Sequence, residues 1–312
     1  MKLRMIKNKF QSNSNLSRFD LISKTIAEGY ISGSHKSPFN GYSAEFKEHK
    51  SYINGDSVRH VDWKLYAKTN KLFTKCFEEE TNVLCHIILD ISSSMFYPEY
   101  DLRPDLNFNK IQFSALASAV LLNILERQRD STGLSLFSDK YNFYAPERGS
   151  KSHYQLLKNN LESLLENKST TSKTRIHEIL HQIAEKFKRR TMIFLFTDLL
   201  QYNVQNKELF DALRHLKHNK HDLTLFHVYD KKTEHNLNFG KDPKRLVDVE
   251  TKEFVDVFTK SYQFKYNKMI NDYFNIFRLK CARYKINYVD VDIHQNFDII
   301  MKTFFEKRMK FF

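Results

Sequence analysis

The sequence predicts an α/β protein: a doubly wound, mostly parallel sheet with one antiparallel edge strand, preceded by a small N-terminal platform. Three observations point there. From about residue 83, short β-prone apolar runs alternate with amphipathic segments of helical length, the pattern of helices laid over a parallel sheet. The stretch "GLSLFSDKYNFYA" breaks only at Ser138–Lys140, which reads as a hairpin and supplies the antiparallel edge. Residues 1–80 lack the alternation, so we read 1–80 as a helix and platform packed on the main domain and 81–312 as the α/β domain.

In chain order, Asn15–Glu28 has helical spacing. Residues 29–80 hold four of the seven glycines, Gly29, Gly33, Gly41 and Gly55, and the only tryptophan, Trp63. We read this part as irregular but ordered. The expected strands are Val83–Leu89, Gly133–Phe137, Tyr141–Tyr144, Met192–Thr197, Leu223–Tyr229 and Ile286–Ile293. The expected helices are Phe108–Arg127, Ser152–Glu166, Arg175–Lys188, Asn206–His218 and Phe258–Arg283, each with apolar residues three and four apart. A second hairpin is expected in "RLVDVETKEFVDV", turning at Glu250–Lys252.

Composition narrows the function classes. The 312 residues are 41% hydrophobic and 28% charged, ordinary values for a folded chain. Fifty Lys and Arg against 37 Asp and Glu give a formal +13, which suits an acidic partner. The lysines are scattered, however, and the densest cluster, Lys186 to Arg190, falls at a helix end where cations favour the dipole. No RRM, KH, zinc-finger or helix-turn-helix signature accompanies the charge, so nucleic acid is not an expected partner. Cys76, Cys85 and Cys281 lack metal-ligand spacing and read as free, largely buried thiols. No apolar run reaches membrane-spanning length and "MKLRMIKNKF" has no signal-peptide core. A soluble cytoplasmic protein is expected, with room for docking to a membrane-bound partner.

The chemistry gathers at strand ends. "LCHIILDISSSMFY" is apolar through Leu89 and then meets Asp90, Ser92 and Ser94. In an open α/β sheet, ligands bind outside the carboxyl ends of the strands. One carboxylate and two hydroxyls there form half of an oxygen shell for Mg²⁺ or Mn²⁺. "MIFLFTDLL" ends a second strand in Asp198, and "STTSKTRIHEIL" places Thr174 just ahead of a helix. Taken singly, each of these residues is better explained as a turn or helix cap. Together they read as one metal site.

These residues carry a resemblance. "ILDISSSM", Thr174 and "FTDLL" resemble the von Willebrand factor A domain, a Rossmann-like fold, with its metal-ion-dependent adhesion site: Asp90, Ser92 and Ser94 in its first motif, then Thr174 and Asp198. Where that family has small glycines before the threonine, this chain has Ser172 and Lys173. Residues 41–80 are similar to the signature of the bacterial domain of unknown function 58 family, matching at Glu45, Phe46, Tyr52, Gly55, Asp56, Arg59, Asp62, Trp63 and Ala67, with Lys50 and Lys68 in place of arginines. The C-terminal "VDIHQNFDIIMKTFFEKRMKFF" resembles that family's last strand and helix.

The resemblance implies a non-enzymatic, metal-dependent protein-interaction module whose Mg²⁺ or Mn²⁺ takes an Asp or Glu from a partner protein. It also implies a MoxR-type AAA+ ATPase, or that ATPase's client, as partner in chaperone-like assembly. The alternative is a Mg²⁺-dependent hydrolase or phosphotransferase using Asp90 and Asp198. Against catalysis, no Walker lysine, HAD-like D-x-D pair or G-x-S-x-G elbow accompanies the site, and His86 and His227 fall inside apolar strands as expected core imidazoles. Tyr52, Asp56, Arg59, Asp62 and Trp63 form either a partner-docking surface or a structural clasp. In the clasp, Arg59 pairs with an acid and Trp63 is buried against the sheet.

Overall fold

The computed structural model describes residues 16–32, 43–53, 58, 61–80, 83–98, 108–166, 176–199, 207–218, 220–239, 244–247, 253–257 and 259–310. Its centre is a six-stranded sheet built from β3 (Leu84–Asp90), β4 (Ser131–Phe137), β5 (Tyr141–Arg148), β6 (Met192–Thr197), β7 (Asp222–Tyr229) and β10 (Asn287–Asp292). The order across the sheet is β10-β7-β6-β3-β4-β5. All neighbours run parallel except β4 and β5, which form the expected antiparallel edge. The chain leaves β3 for β4 on one side and later returns to β6 on the other. The crevice between the carboxyl ends of β3 and β6 is therefore the topological switch point.

Helices cover both faces. Helices α1 (Leu16–Ser32), α3 (Lys110–Arg127), α4 (Lys151–Glu166) and α8 (Phe297–Lys310) pack on one. Helices α5 (Ile176–Lys186), α6 (Lys207–His218) and α7 (Thr259–Arg283) pack on the other. The inner strands are buried along their length, which is why they read as continuous apolar runs. Helix α3, "KIQFSALASAVLLNILER", is buried from Lys110 to Leu125 except at the half-buried Gln112. A helix apolar all round needs cover on its outer side as well, and α1 provides it. Phe19, Ile22 and Ala27 join the core, the Asn123 amide donates to Ser23 Oγ at 2.8 Å, and Lys158 bridges Glu126 at 2.7 Å and Asp20 at 3.4 Å.

His86 and His227 are core imidazoles, as expected. His86 sits on β3 with Nδ1 2.6 Å from Glu147 and Nε2 2.7 Å from Ser135 Oγ. Its ring is why β4 carries a glycine, since a Cβ at Gly133 would lie 2.4 Å from His86 Nδ1 and 2.7 Å from the Ala145 carbonyl oxygen. Cys85 and Cys281 are free and buried.

The platform departs from expectation. Instead of irregular backbone, Ser43–Ser51 (β1) and Phe73–Glu80 (β2) form an antiparallel pair with a register shift between Phe46 and Glu48. Between them lies a short helix, α2 (Trp63–Thr69). "SAEFKEHKS" and "FTKCFEEE" hold too many Lys and Glu residues to show strand alternation, and their pairing partners lie more than twenty residues apart in the chain. A smaller pair, β8 (Lys244–Val247) with β9 (Phe254–Val257), confirms the second hairpin; its turn, Glu250–Lys252, lies outside the described residues.

One buried carboxylate away from the strand ends has a consequence for stability. Asp130 accepts from the Val83 N–H at 2.8 Å through Oδ1, while its buried Oδ2 has no hydrogen-bond partner among the described residues. Burial pushes its acid up to about 7, against the opposing pull of that one hydrogen bond. The folded state therefore holds the proton more tightly than the unfolded chain. The resulting stability is fully present below the ordinary aspartate range and is lost as pH rises through about 7. Asp130→Asn keeps the acceptor and removes the titration. Urea unfolding should find it about 1 kcal/mol more stable than wild type near pH 8 and equal near pH 4.

Candidate metal site at the carboxyl edge of the sheet

Four adjacent strands end in or just before an aspartate: Asp90 at the end of β3, Asp198 after β6, Asp230 after β7 and Asp292 at the end of β10. Asp90 is 1% exposed and Asp198 4%, so neither is a solvated turn residue. The turn after β3 holds Asp90 firmly. Its Oδ1 accepts from the Ser92 N–H at 2.9 Å, and its Oδ2 accepts from the Thr197 hydroxyl of β6, also at 2.9 Å. The chain then enters a 3-10 turn, Ser93–Phe96, which brings Ser92 Oγ within 3.1 Å of Ser94 Oγ. Asp90, Ser92 and Ser94 thus converge, and the Thr197 bond ties them to the strand that delivers Asp198.

A cation that the sequence analysis missed lies beside them. Lys110 is completely buried at the first turn of α3. Its ammonium donates to Asp198 Oδ2 at 2.8 Å and to Glu234, and it lies 5.9 Å from the centre of the Tyr97 ring. A cation there opposes the helix dipole and has lost its water, so the two carboxylates must offset both costs. The placement is built locally. Asn109 caps α3 through a reciprocal pair with Gln112, with bonds of 2.9 and 3.1 Å, and this fixes Lys110 at the helix start.

Glu234 arrives from a π-helical turn, Lys231–His235, capped by Asp230. Asp230 accepts from the Lys232 and Thr233 N–H groups, from the Thr233 hydroxyl at 2.8 Å and from His294 Nε2 at 2.7 Å. The Tyr97 hydroxyl donates to Thr233 Oγ1 at 2.9 Å, closing the turn onto the segment before α3. Behind Asp198, His227 Nε2 lies 3.1 Å from its carbonyl oxygen and Nδ1 lies 2.5 Å from the Tyr288 hydroxyl. A carbonyl only accepts, so Nε2 carries the proton and Tyr288 donates to Nδ1. Burial lowers His227 to about 4, which keeps the ring neutral.

The electrostatics are unbalanced. The Lys110 ammonium meets two carboxylates, Asp198 and Glu234, and Asp90 adds a third acid close enough to feel the Asp198 charge. The acids respond accordingly: Asp90 is pushed up to about 7 by burial and then by the Asp198 charge, and burial raises Glu234 to about 7 despite Lys110. Lys110 is held above its ordinary value, because Asp198 and Glu234 outweigh the effect of burial. Asp90 with the Ser92 and Ser94 hydroxyls offers half of an oxygen shell of the kind a hard divalent cation takes, while Asp198, whose charge Asp90 feels, has one oxygen already bonded to Lys110. Among the described residues there is no group of three or more His, Cys, Asp or Glu arranged to hold a metal, so any cation here relies on hydroxyl oxygens as well. Thr174 lies outside the described residues.

The signature residues of the platform separate. Asp56 and Arg59 lie outside the described residues. Tyr52 is half-buried, and its N–H donates to the Leu72 carbonyl at 3.0 Å. Asp62 caps α2, accepting from the Lys64 and Leu65 N–H groups, and also meets His49 Nε2 at 3.0 Å. Trp63 is 58% exposed and stands edge-on to Tyr66. The expectation of a Trp63 buried against the sheet is therefore corrected. Trp63 is the first residue of a seven-residue helix that buries none of its side chains.

Lys110 and Glu234 left faint traces in the sequence. Lys110 is the lone cation opening an otherwise apolar helix, and Glu234 follows the strand-end Asp230 by four residues.

With this geometry in view, comparison with known proteins places the chain. The family model described as "Protein of unknown function DUF58" matches residues 48–272. The chain belongs to the DUF58 family. No curated protein matches it. Among solved structures, BatB from Bacteroides thetaiotaomicron is 15% identical with a TM-score of 0.42, covering 73% of this chain and 98% of its own. An aerotolerance-related membrane protein from Bacteroides fragilis is 17% identical with a TM-score of 0.44, covering 73% and 100%. The VWA domain of SpRpn10 is 14% identical with a TM-score of 0.33, covering 48% and 76%. These likenesses are distant. What the fold itself shows for this DUF58 protein is an α/β architecture with a six-stranded, mostly parallel sheet and one antiparallel edge. No described helix is long and apolar enough to cross a membrane.

Removing the buried cation tests this account of the site. Lys110→Met should cost about 3 kcal/mol or more in urea unfolding, because it strands two buried carboxylates. The deficit should grow as pH rises through about 7, where Asp90 and Glu234 ionise, and shrink near pH 5 as they take up protons. A pH-independent deficit would mean that Lys110 acts by packing alone.

Proposed function

We propose that this DUF58 protein is a metal-organised protein-interaction module. In this reading Asp90, Ser92, Ser94 and Asp198 hold Mg²⁺ or Mn²⁺, Thr174 adds a hydroxyl from the segment ahead of α5, and an Asp or Glu of a partner protein completes the shell. The observation that carries the reading is the charge balance. Lys110 is bonded to Asp198 and Glu234, and Asp90 beside Asp198 is a third acid, so three carboxylates share a single ammonium and the two charges left over can be met by two protons or one divalent cation. The site's place at the topological switch point supports it, since the loops from β3 and β6 present their oxygens there to an incoming group. When bound, the cation would supply a coordination position for a partner's carboxylate.

Binding rather than catalysis fits the groups present. Both His227 nitrogens are engaged in fixed bonds and the ring is neutral. The Lys110 ammonium is committed to two carboxylates. Ser92 and Ser94 are bonded to each other, and Asp90 beside them is held in turn by the Ser92 N–H and the Thr197 hydroxyl. The family likeness at residues 41–80 supports a MoxR-type AAA+ ATPase, or its client, as the partner, with this protein acting as adaptor in the cytoplasm or at a membrane-bound complex.

Two measurements test the proposal. Saturating Mg²⁺ or Mn²⁺ should raise the wild-type melting temperature by about 5 °C at roughly a hundredfold excess over Kd. The rise should be larger at pH 8 than near pH 5.5, because protons compete for the same oxygens, and Asp90→Ala should abolish it. Equal responses in wild type and variant would remove the metal from the proposal. In a pull-down, the immobilised protein should retain a MoxR-type ATPase from the same cell, and EDTA or Asp90→Ala should release it. Retention that ignores both would leave an adaptor that does not work through the metal.

A further inference from the structure

The opposite edge of the sheet carries a second feature. Strand β10 is the outermost strand, paired only with β7 among the described residues. A groove of about 760 Å³ opens on its outer side between α7 and α8 and continues past the amino ends of β6 and β7, where Arg190, Lys217 and Asp222 line it. Four consecutive β10 residues, Asn287 to Asp290, line it. Successive strand side chains point to opposite faces, so four in a row can share one groove only if the groove follows the strand's edge. Residues 287–290 are exposed or half-buried, whereas Val291 and Asp292 are buried. Half of the backbone N–H and C=O groups of such a strand point away from its one partner.

The lining is both apolar and strongly basic. Val289, Ile299, Ile300 and Phe304 supply the apolar part, and Ile299 stands 63% exposed. Six cationic side chains line the groove against two carboxylates, Asp222 and Asp290. Both carboxylates are bridged to lining arginines, Asp222 to Arg308 at 2.5 Å and Asp290 to Arg278. The cations crowd one another as well: burial lowers the Lys217 ammonium, and Arg190, Lys285 and Arg308 push the same way against Asp222. Lysines at a sheet edge can simply discourage aggregation. That role requires neither a concave surface nor an apolar floor, and this edge has both.

We propose that this groove binds an extended peptide segment of another protein, with alternating acidic and apolar residues, which adds as a strand to β10. Main-chain hydrogen bonds to the free edge supply affinity, the floor at Val289 and Ile299 takes the apolar side chains, and Lys285 and Lys307 face the acidic ones.

A fluorescently labelled peptide of about eight alternating Glu and Val residues tests this by anisotropy. Wild-type protein should bind it saturably. Lys285→Glu combined with Lys307→Glu should weaken binding by at least about tenfold. Ile299→Glu, a change at an exposed position, should weaken it independently and carries the test if the double variant does not fold. A peptide with a central proline should also bind at least about tenfold more weakly, because proline removes a ladder donor. No saturable binding, equal binding of the proline peptide, or unchanged affinity in both variants would overturn strand addition. A wild-type dimer in sedimentation that both variants dissolve would also overturn it, by placing a second copy of this chain on the edge.

Discussion

The buried ammonium of Lys110 is the constraint on which the carboxyl edge depends. It reaches from the start of α3 to Asp198 after β6 and to Glu234 in the turn after β7, so three elements distant in sequence must meet at one point. An ammonium stripped of water costs several kcal/mol unless its partners are well placed. The supporting bonds are accordingly short and local: the Asn109–Gln112 box fixes the helix start, the Asp230 cap fixes the turn, and the Tyr97 to Thr233 bond joins them. Lys110 can compensate only one charge fully.

The formal +13 of the chain conceals a polarity that the fold imposes. Helices of a doubly wound domain point their amino ends toward the carboxyl ends of the strands, so the positive ends of their dipoles face that edge. Asp90, Asp198, Asp230 and Asp292 collect there. Cations gather at the other end of the same strands, with Arg190 ahead of β6, Lys217 at the end of α6 and Lys285 ahead of β10. The Lys186 to Arg190 cluster, explained from sequence as dipole compensation, divides on this map. Lys186 lies 4.2 and 4.0 Å from the centres of the Tyr141 and Tyr144 rings, while Arg190 belongs to the basic groove. One net charge thus separates into an acidic end and a basic end.

What could be read in the sequence follows from how each element is stabilised. Strands buried on both faces must be apolar along their length, so β3, β6 and β7 were legible within a residue or two, and Asp90 stood out because it ended such a run. The β1 and β2 pair was not legible, since its strands are rich in Lys and Glu and their pairing is not local. Trp63 was misjudged because a large aromatic side chain suggests burial, whereas the helix that begins with it buries none of its side chains. Lys110 was hidden for another reason. Nothing in a single sequence marks the lysine whose partners lie 88 and 124 residues away, and its position at a helix start argues against a cation.

The acidic site and the basic groove are joined by one hydrogen-bonded strut. Tyr288, which lines the groove, donates to His227, and His227 donates to the Asp198 carbonyl. The direction of both bonds is set by chemistry: a carbonyl cannot donate, so the His227 proton must sit on Nε2 and the Tyr288 proton must point inward. Reversing either bond would require a charged imidazole or a lost partner, and burial holds His227 neutral until pH falls to about 4. Near neutral pH the strut therefore has a single arrangement. It acts as a rigid support that fixes the Asp198 backbone against the edge strand, and it works without any titration.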